Sequence, residues 1–371
     1  MKFHLRIFYC ASLIGMTFIA CQPSKSDKDV IRQATQNLDI QKYIDTTSVQ
    51  YVILENTPKC IVGTVVQLAI TDSCIFIVNY QPRAIYMFAH DGEYIRQIGK
   101  QGRGPWEYLS IENIDVDESK KEIVLYDGQT CRALRYNYNG DFLASFECNT
   151  HPYGEIIKLN DTLYALQNNF NNPDIPQNPK ILIINDTGKI INSFIQRPKD
   201  VDKESDVPTS SGFFTKNKLN VYYIPYGEDK LYKLSPDGQK NEAILSLGIQ
   251  AYMMPMNLTW EEFERIKKIK LGPLGGLCIT DEGTFATGLN FDNKDVQYIG
   301  NLKDGVQLVG WPSALSSAWP GLITPQTTYR DCFVGIKSAA EAIQCKDKFP
   351  NLAEDANPII VFFKYKLPKD V

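Results

Sequence analysis

The feature that most constrains the fold of this chain is an internal repeat of about 48 residues. Two apolar segments and a turn make one unit, which recurs without gaps: 75–79, 85–88 and 91–92, then 123–127, 134–136 and 139–140. The turn glycine returns twice more, so that Gly92, Gly140, Gly188 and Gly238 are 48, 48 and 50 residues apart. A fifth, looser copy ends at Gly305. Regular spacing of this kind indicates a fold built from stacked units.

Each unit consists of short β-branched and aromatic runs separated by turn residues, which is typical of strands joined by tight hairpins. A unit of this length holds about four strands, and such a sheet cannot bury both of its faces alone, so the units must stack on one another. Residues 49–371 leave room for six units. The sequence therefore predicts an all-β fold, a six-bladed β-propeller of four-stranded antiparallel blades with short helical insertions.

The closure of the ring and the insertions can also be placed. Residues 358–363 form a strongly apolar run in the last unit, and the alternating segment 49–54 is expected to add a strand to that sheet. Thr259 with Glu262 forms a capping pattern that predicts a short helix, and Ser338 predicts a second one. Both helices are expected as insertions between strands.

The first 21 residues have the organisation of a lipoprotein signal peptide. A basic start with Lys2 and Arg6 precedes an apolar run at 7–20, which is short for a membrane span. Residues 18–21 resemble the bacterial lipobox, with Phe18 where leucine is usual, and this implies lipidation at Cys21. Plain secretion is the alternative. We predict a signal peptide at 1–21, a flexible polar tether at 22–48 and the propeller at 49–371.

The order of these features is similar to that of a known group of proteins. Asn79 or Asp127 closes a strand, a second strand and the turn follow, and the first unit then runs into the glycine-rich segment 99–108. This order resembles the NHL-like, six-bladed β-propeller lipoproteins of Gram-negative anaerobes, which are related to TolB-like propellers. The resemblance implies an exported protein of the cell envelope, held by its lipid at a membrane, with the outer membrane expected. It leaves the function open, because propellers host binding, scaffolding and catalysis alike.

Composition excludes several classes of function. The net charge of −4 and the pI near 5.6 provide no basic field for nucleic acid, which we do not expect as a partner. Only His90 and His151 follow the predicted signal peptide, and the seven cysteines after Cys21 show no C-x-x-C spacing. We therefore expect no metal site and no cofactor, and we interpret the cysteines as free thiols.

The candidate ligand-binding residues come from loops that a propeller places on one face. In each unit the loop between the second and third strands and the connection to the next unit emerge opposite the turn glycines. These segments combine aromatic rings, amides and guanidinium groups, which suit a sugar or a peptide. The candidates are Tyr80, Arg83, Arg103, Trp106, Asp127, Arg132, Asn168, Asn169, Tyr226 and Glu228.

Several of these positions have a structural alternative. Asp127 recurs in register with Asn79 at a strand end, where either side chain could cap the strand through bonds to the backbone. Trp106 could pack against the protein or line the rim of the face. The glycines of 99–108 are interpreted as a connection between blades, because no Lys-Ser or Lys-Thr follows them as in a phosphate-binding loop.

Three acidic residues carry more specific expectations. Glu107 is expected to pair with Arg103 in the connection between the first two blades. Asp115 and Asp117 are two residues apart on a strand and therefore share one of its faces, for which exposure to solvent is the simplest interpretation. No catalytic residues can be selected from the sequence.

These observations favour an interaction module that is anchored by lipid outside the cytoplasm and binds a glycan, a peptide or a partner protein. The alternative is an extracytoplasmic enzyme that acts on a carbohydrate or a peptide at the channel mouth. A third possibility is a purely structural component of the envelope. Titratable groups that converge in one cavity with shifted pKa values would point to the enzyme, whereas a shallow aromatic surface would point to binding.

Overall fold

The computed structural model describes residues 39–148, 154–168, 175, 179–196, 214–218, 220–225, 227–250, 253–254, 259–266, 272–291, 294–311, 319–321, 323–345 and 347–368. These residues form six four-stranded antiparallel sheets. In every sheet but the last, the four strands follow one another along the chain. Each sheet is one blade of the predicted propeller.

The strands have the following bounds. β1 (Gln50–Ile53) belongs to blade 6. Blade 1 contains β2 (Val65–Ile70), β3 (Ile75–Asn79), β4 (Ala84–Phe88) and β5 (Tyr94–Ile98). Blade 2 contains β6 (Asn113–Asp117), β7 (Glu122–Asp127), β8 (Arg132–Asn137) and β9 (Phe142–Glu147). Blade 3 contains β10 (Ile156–Lys158), β11 (Leu163–Gln167), β12 (Pro179–Asn185) and β13 (Ile190–Gln196). Blade 4 contains β14 (Phe214–Asn217), β15 (Asn220–Tyr223), β16 (Lys230–Leu234) and β17 (Asn241–Ser246). Blade 5 contains β18 (Gly272–Ile279), β19 (Thr284–Phe291), β20 (Lys294–Asn301) and β21 (Gly305–Gly310). Blade 6 contains β22 (Thr327–Tyr329), β23 (Cys332–Lys337), β24 (Ile359–Phe363) and β1.

The innermost strands of the six blades form a closed ring. Contacts run from β14 through β18, β22, β2 and β6 to β10. The remaining pair is joined by the amide N–H of Phe214, which donates to the carboxylate of Glu155 at 2.9 Å. The six-bladed propeller predicted from the repeat is therefore confirmed, and the inner strands surround a central channel.

The ring closes where the sequence predicted. β1 pairs with β24, with Gln50 opposite Phe362 and Ile53 opposite Ile359, so the first and the last described strands share blade 6. Asn357 reinforces this closure from a buried position, because its side chain accepts from the amide of Val62 at 2.7 Å and donates to the carbonyl of Cys60 at 2.7 Å.

The predicted boundary of the tether is wrong at its C-terminal end. The described chain is already packed from Asp39, which forms a bridge with Trp311, and a 3₁₀ turn follows at Ile40–Tyr43. Ile40 and Ile44 are buried in the apolar cluster between blades 5 and 6. Burial of these two side chains makes residues 39–48 part of the propeller.

The turn glycines explain the regularity of the repeat. Gly92, Gly140, Gly188 and Gly238 all have positive φ, between 66° and 93°, which glycine adopts without strain. A side chain at Gly92 or Gly188 would also collide with a backbone carbonyl of the outermost strand in the preceding blade. Each turn therefore favours glycine for its own geometry, and the turns at Gly92 and Gly188 also need it for packing against the neighbouring blade.

The core lies between adjacent blades. The middle strands β3 and β4 are buried at every position, because both of their faces are covered. Phe76, Ile98, Ile123 and Tyr136 belong to one cluster that joins blades 1 and 2. Complete burial of each large apolar side chain contributes about 1.5–3 kcal/mol to stability.

The two predicted helices are confirmed. Helix α1 (Trp260–Ile266) lies between blades 4 and 5, and the Thr259 hydroxyl accepts from the amide of Glu262 at 3.2 Å. Helix α2 (Ala339–Ala342) has the same arrangement with Ser338 and Glu341. Within the described ranges, no helix is long and apolar enough to cross a membrane. Cys60, Cys74, Cys148 and Cys278 are buried thiols.

Candidate functional site

The loops between the second and third strands of the blades, such as 80–83 and 128–131, emerge on one face of the ring together with the connections between blades, such as 99–112. We call this the upper face. The turns at Gly92 and Gly140 lie on the opposite, lower face, because strands alternate in direction within each blade. The candidate ligand-binding residues were predicted for this upper face.

The connection at 99–110 is held together by its own hydrogen bonds. The amide of Gly102 donates to the carbonyl of Tyr108 at 3.0 Å, and the amide of Tyr108 donates to the carbonyl of Lys100 at 3.1 Å. The Glu107 carboxylate accepts from the amide of Gly104 at 2.9 Å and lies 3.8 Å from the Lys100 ammonium. The expected pair between Glu107 and Arg103 is therefore wrong, since the carboxylate folds back onto its own loop.

Two predicted ligand-binding arginines fix this loop from outside. The Arg132 guanidinium donates to the carbonyls of Pro105 and Glu107, both at 3.3 Å. The Arg83 guanidinium donates to the carbonyl of Leu109 at 3.0 Å. Both arginines are half-buried at the base of the loop. Their side chains therefore mainly hold the backbone of the loop.

Tyr136 supplies a further bond that the sequence analysis missed. Its hydroxyl donates to the carbonyl of Trp106 at 2.9 Å, while its ring is buried between blades 1 and 2. Burial raises the pKa of Tyr136, so the hydroxyl keeps its proton and remains a donor. Tyr136 corresponds to Phe88 in the preceding unit of the repeat. The hydroxyl that Tyr136 has and Phe88 lacks is the sequence signal that could have identified this residue.

Trp106 and Tyr80 present their rings to solvent above this fixed backbone. The Trp106 side chain is 60% exposed and that of Tyr80 is 48% exposed. The Arg83 guanidinium lies 6.0 Å from the centre of the Tyr80 ring, at the outer limit of a cation–π contact. Arg103 is also exposed. The structure therefore brings Tyr80, Arg83, Arg103, Trp106 and Arg132 to one part of the upper face.

Asp127 is nearby but is not presented to a ligand. It is completely buried, and its carboxylate accepts from the amides of Leu109, Ser110 and Gln129 and from the Ser110 hydroxyl. Asn79 has the corresponding place in blade 1, where it accepts from the amide of Gly63. Both residues cap the strand end, which was the structural alternative.

The sequence pattern of a family described as domain of unknown function DUF4934 matches residues 28–364. The chain belongs to the DUF4934 family. No curated protein matches it in sequence.

Solved structures resemble this DUF4934 protein in fold. A Bacteroides fragilis NCTC 9343 protein that is inferred to be exported is 15% identical, with a TM-score of 0.73 over 90% of this chain and 98% of that chain. A member of the DUF4221 family from Bacteroides vulgatus ATCC 8482 is 12% identical, with a TM-score of 0.57 over 86% of this chain and 99% of that chain. At these identities the likeness shows a shared fold.

The remaining candidates of the DUF4934 protein belong to blades 3 and 4. Asn168 is buried, and its side-chain amide donates to the carbonyl of Pro179 at 2.8 Å. Glu228 accepts from the Lys180 ammonium at 2.7 Å and from the Tyr232 hydroxyl at 2.9 Å. Burial together with the Glu228 carboxylate raises the pKa of Tyr232 to about 12. Asn169 and Tyr226 lie outside the described residues.

The central channel contains a charged network that the sequence analysis interpreted wrongly. Asp115 is buried and Asp117 is 18% exposed, although both were expected to face solvent. Lys158, which is also buried, bonds to Asp117 at 2.6 Å, and Lys216 reaches from blade 4 to Asp115 in blade 2. The two carboxylates therefore neutralise two ammonium groups between blades 2 and 4.

Glu155 lies just before β10, at the upper end of the channel. Burial raises the pKa of its carboxyl to about 8, against the effect of the Phe214 amide that donates to it. A carboxyl of this kind stays protonated at neutral pH and can donate a proton. Among the residues that the structure describes, no group of three or more His, Cys, Asp or Glu side chains is arranged to hold a metal ion.

Proposed function

We propose that this DUF4934 protein is an exported interaction module that binds its partner through the upper face between blades 1 and 2. The observation that carries the proposal is Trp106, whose ring is 60% exposed while its carbonyl is bonded to a buried tyrosine. Aromatic anchors dominate binding energy in interfaces. An anchor whose backbone is already fixed loses less conformational freedom on binding, which favours affinity.

Export is supported by the N-terminal sequence and by one structural neighbour. Residues 1–21 have the organisation of a lipoprotein signal peptide, and Cys21 follows a small residue as lipidation requires. The similar protein from Bacteroides fragilis is inferred to be exported. The proposal therefore includes a lipid anchor at Cys21, an extracytoplasmic location and attachment to the outer membrane.

The acidic groups near Trp106 favour binding over catalysis at this part of the face. Glu107 and Asp127 both accept hydrogen bonds from the protein, so neither is available to act on a substrate. Glu155, which has the properties of a proton donor, belongs to blade 3. It is the one observation that favours the alternative, an enzyme acting at the channel mouth on a carbohydrate or a peptide.

A glycan and peptide array with the purified full chain tests the proposal. We expect binding that Trp106→Ala weakens at least tenfold, equivalent to about 1.4 kcal/mol. Trp260→Ala is the matched control, because Trp260 is also an exposed tryptophan, at 54%, but lies on α1 between blades 4 and 5. Absence of any bound ligand, or binding that is equally strong in the Trp106 variant, would contradict the proposal. Turnover of a bound ligand that Glu155→Gln abolishes would establish the enzyme instead.

A further inference from the structure

The exposed charges of the loops around Trp106 are positive. In the segments 54–64, 80–83, 99–112 and 127–132, which form this part of the upper face, the exposed charged residues are Lys59, Lys100 and Arg103. One exposed carboxylate borders these loops, that of Glu147 at the end of β9, opposite Arg132. The chain as a whole carries a net charge of −4. The basic character is therefore local to this site.

The carboxylates of the same segments are turned to the protein. Glu55 accepts from the amide of Tyr94 at 2.8 Å, and Asp127 is completely buried with its bonds filled. Glu107 accepts from the Gly104 amide, and Glu112 is half-buried beside the Ser110 hydroxyl, which donates to Asp127. None of the four is exposed, so the cations of these segments are more open to a ligand than the carboxylates are.

Apart from the Trp106 amide, the backbone groups of residues 104–109 also bond to the protein. The amides of Gly102, Gly104 and Tyr108 donate within the loop. The carbonyls of residues 105, 106, 107 and 109 accept from Arg132, Tyr136 and Arg83. A peptide that binds as an added strand needs free backbone groups on its receptor. The segment 104–109 therefore offers mainly side chains to a ligand.

We propose that the ligand is an acidic oligosaccharide, a sugar chain that carries carboxylates. The inference rests on the proposed function and specifies its ligand. Trp106 and Tyr80 provide flat apolar surfaces on which the C–H faces of sugar rings can stack. An exposed indole suits a sugar ring better than it suits an apolar side chain of a peptide, which needs a pocket. The Arg103 guanidinium provides a planar pair of donors for a carboxylate.

Calorimetric titration of the purified full chain tests this inference. The probes are tetramers of galacturonic, glucuronic and mannuronic acid, the methyl ester of each tetramer, and tetraglutamate. We expect at least one uronic acid tetramer to bind, with an affinity that falls as salt is raised and exceeds that of its neutral ester at least tenfold. Arg103→Ala should remove most of this preference, and Trp106→Ala should weaken binding of acid and ester together.

The control is Lys303→Ala, which removes an exposed cation from the lower face and should leave binding unchanged. Equal affinity for acid and ester would overturn the inference while leaving the interaction module intact, and so would binding of tetraglutamate alone. Failure of every probe, while the array yields a different ligand that depends on Trp106, would also overturn only the inference. If nothing binds in a manner that depends on Trp106, both proposals fail.

Discussion

Asp117 shows how strongly surroundings determine the behaviour of a carboxyl in this protein. Burial alone would raise its pKa, but the Lys158 ammonium and the Ser119 hydroxyl outweigh that effect and lower the pKa to about 2. Glu155 has burial without a cation, and its pKa rises to about 8. The two groups therefore affect stability in different parts of the pH range, Asp117 below about 4 and Glu155 between about 4.5 and 8.

Asp117→Asn should destabilise the fold by about 2 kcal/mol at neutral pH, because it leaves the buried Lys158 without its 2.6 Å partner. The lowered pKa means that the carboxylate stabilises the folded state above its unfolded pKa near 3.8 and loses this effect as pH falls through about 2. The difference between wild type and variant should therefore shrink toward pH 2. Urea unfolding from pH 7 to pH 2 measures it, and a constant difference would contradict the assignment.

Glu155→Gln should have the opposite pH dependence. Because the folded pKa of about 8 lies above the usual 4.5, the unfolded chain ionises first, and wild-type stability falls as pH rises between these values. The amide cannot ionise and lacks this loss. We expect the variant to gain thermal stability relative to wild type between pH 5 and pH 8, as measured by calorimetry. A gap that does not widen with pH would show that Glu155 is ionised in the folded state.

Two elements decide how the site is built, the connection at 99–110 and the closure at blade 6. The connection is fixed by bonds from Arg83, Arg132 and Tyr136, which belong to two blades. Those blades keep their relative position because the ring is closed by β1 and by Asn357. The rigidity of the loop therefore depends on the ring as well as on its own bonds.

Asn357→Ala should cost about 3 kcal/mol, because it leaves buried partners in the segment 55–62 without hydrogen bonds. Asn351→Ala, at an exposed position of the same loop, is the matched control and should change stability by less than about 0.5 kcal/mol. Chemical unfolding of both variants measures the difference. Equal stability would mean that Asn357 contributes nothing to closure.

The local elements could be read from the sequence, whereas the site could be read only in part. The strands, the turns at glycine and both helix caps depend on residues close together in the chain. The partners of Asp115 could not be found in this way, since Lys216 is 101 residues away. The predicted boundary of the tether was wrong for a related reason. Ile40 and Ile44 pack against apolar residues of blades 5 and 6, which are distant in sequence.

At the scale of the whole molecule, the stability of the ring depends on the N-terminal strand β1, which completes blade 6. The described chain is packed from Asp39, and the outermost strand in blade 6 is β1. A chain beginning at residue 55 lacks β1 and should unfold at a clearly lower temperature than the full chain. Equal unfolding temperatures for the two would contradict the closure.

The repeat fixes six blades, but it does not indicate which connection carries a binding surface. Residues 99–108 stand out in sequence through their glycines, and the structure adds that their backbone is bonded while their tryptophan is exposed. This combination is the central claim about function, because it describes a surface prepared for a ligand.

Amide hydrogen exchange across residues 99–110 tests that claim most directly and needs no ligand. If the loop is fixed as described, the amides of Gly102, Gly104 and Tyr108 exchange at least a hundredfold more slowly than in an unstructured peptide, although Trp106 beside them is open to solvent. Exchange at the rate of an unstructured peptide would show that the loop is not fixed, and the claim of a prepared binding surface would be wrong.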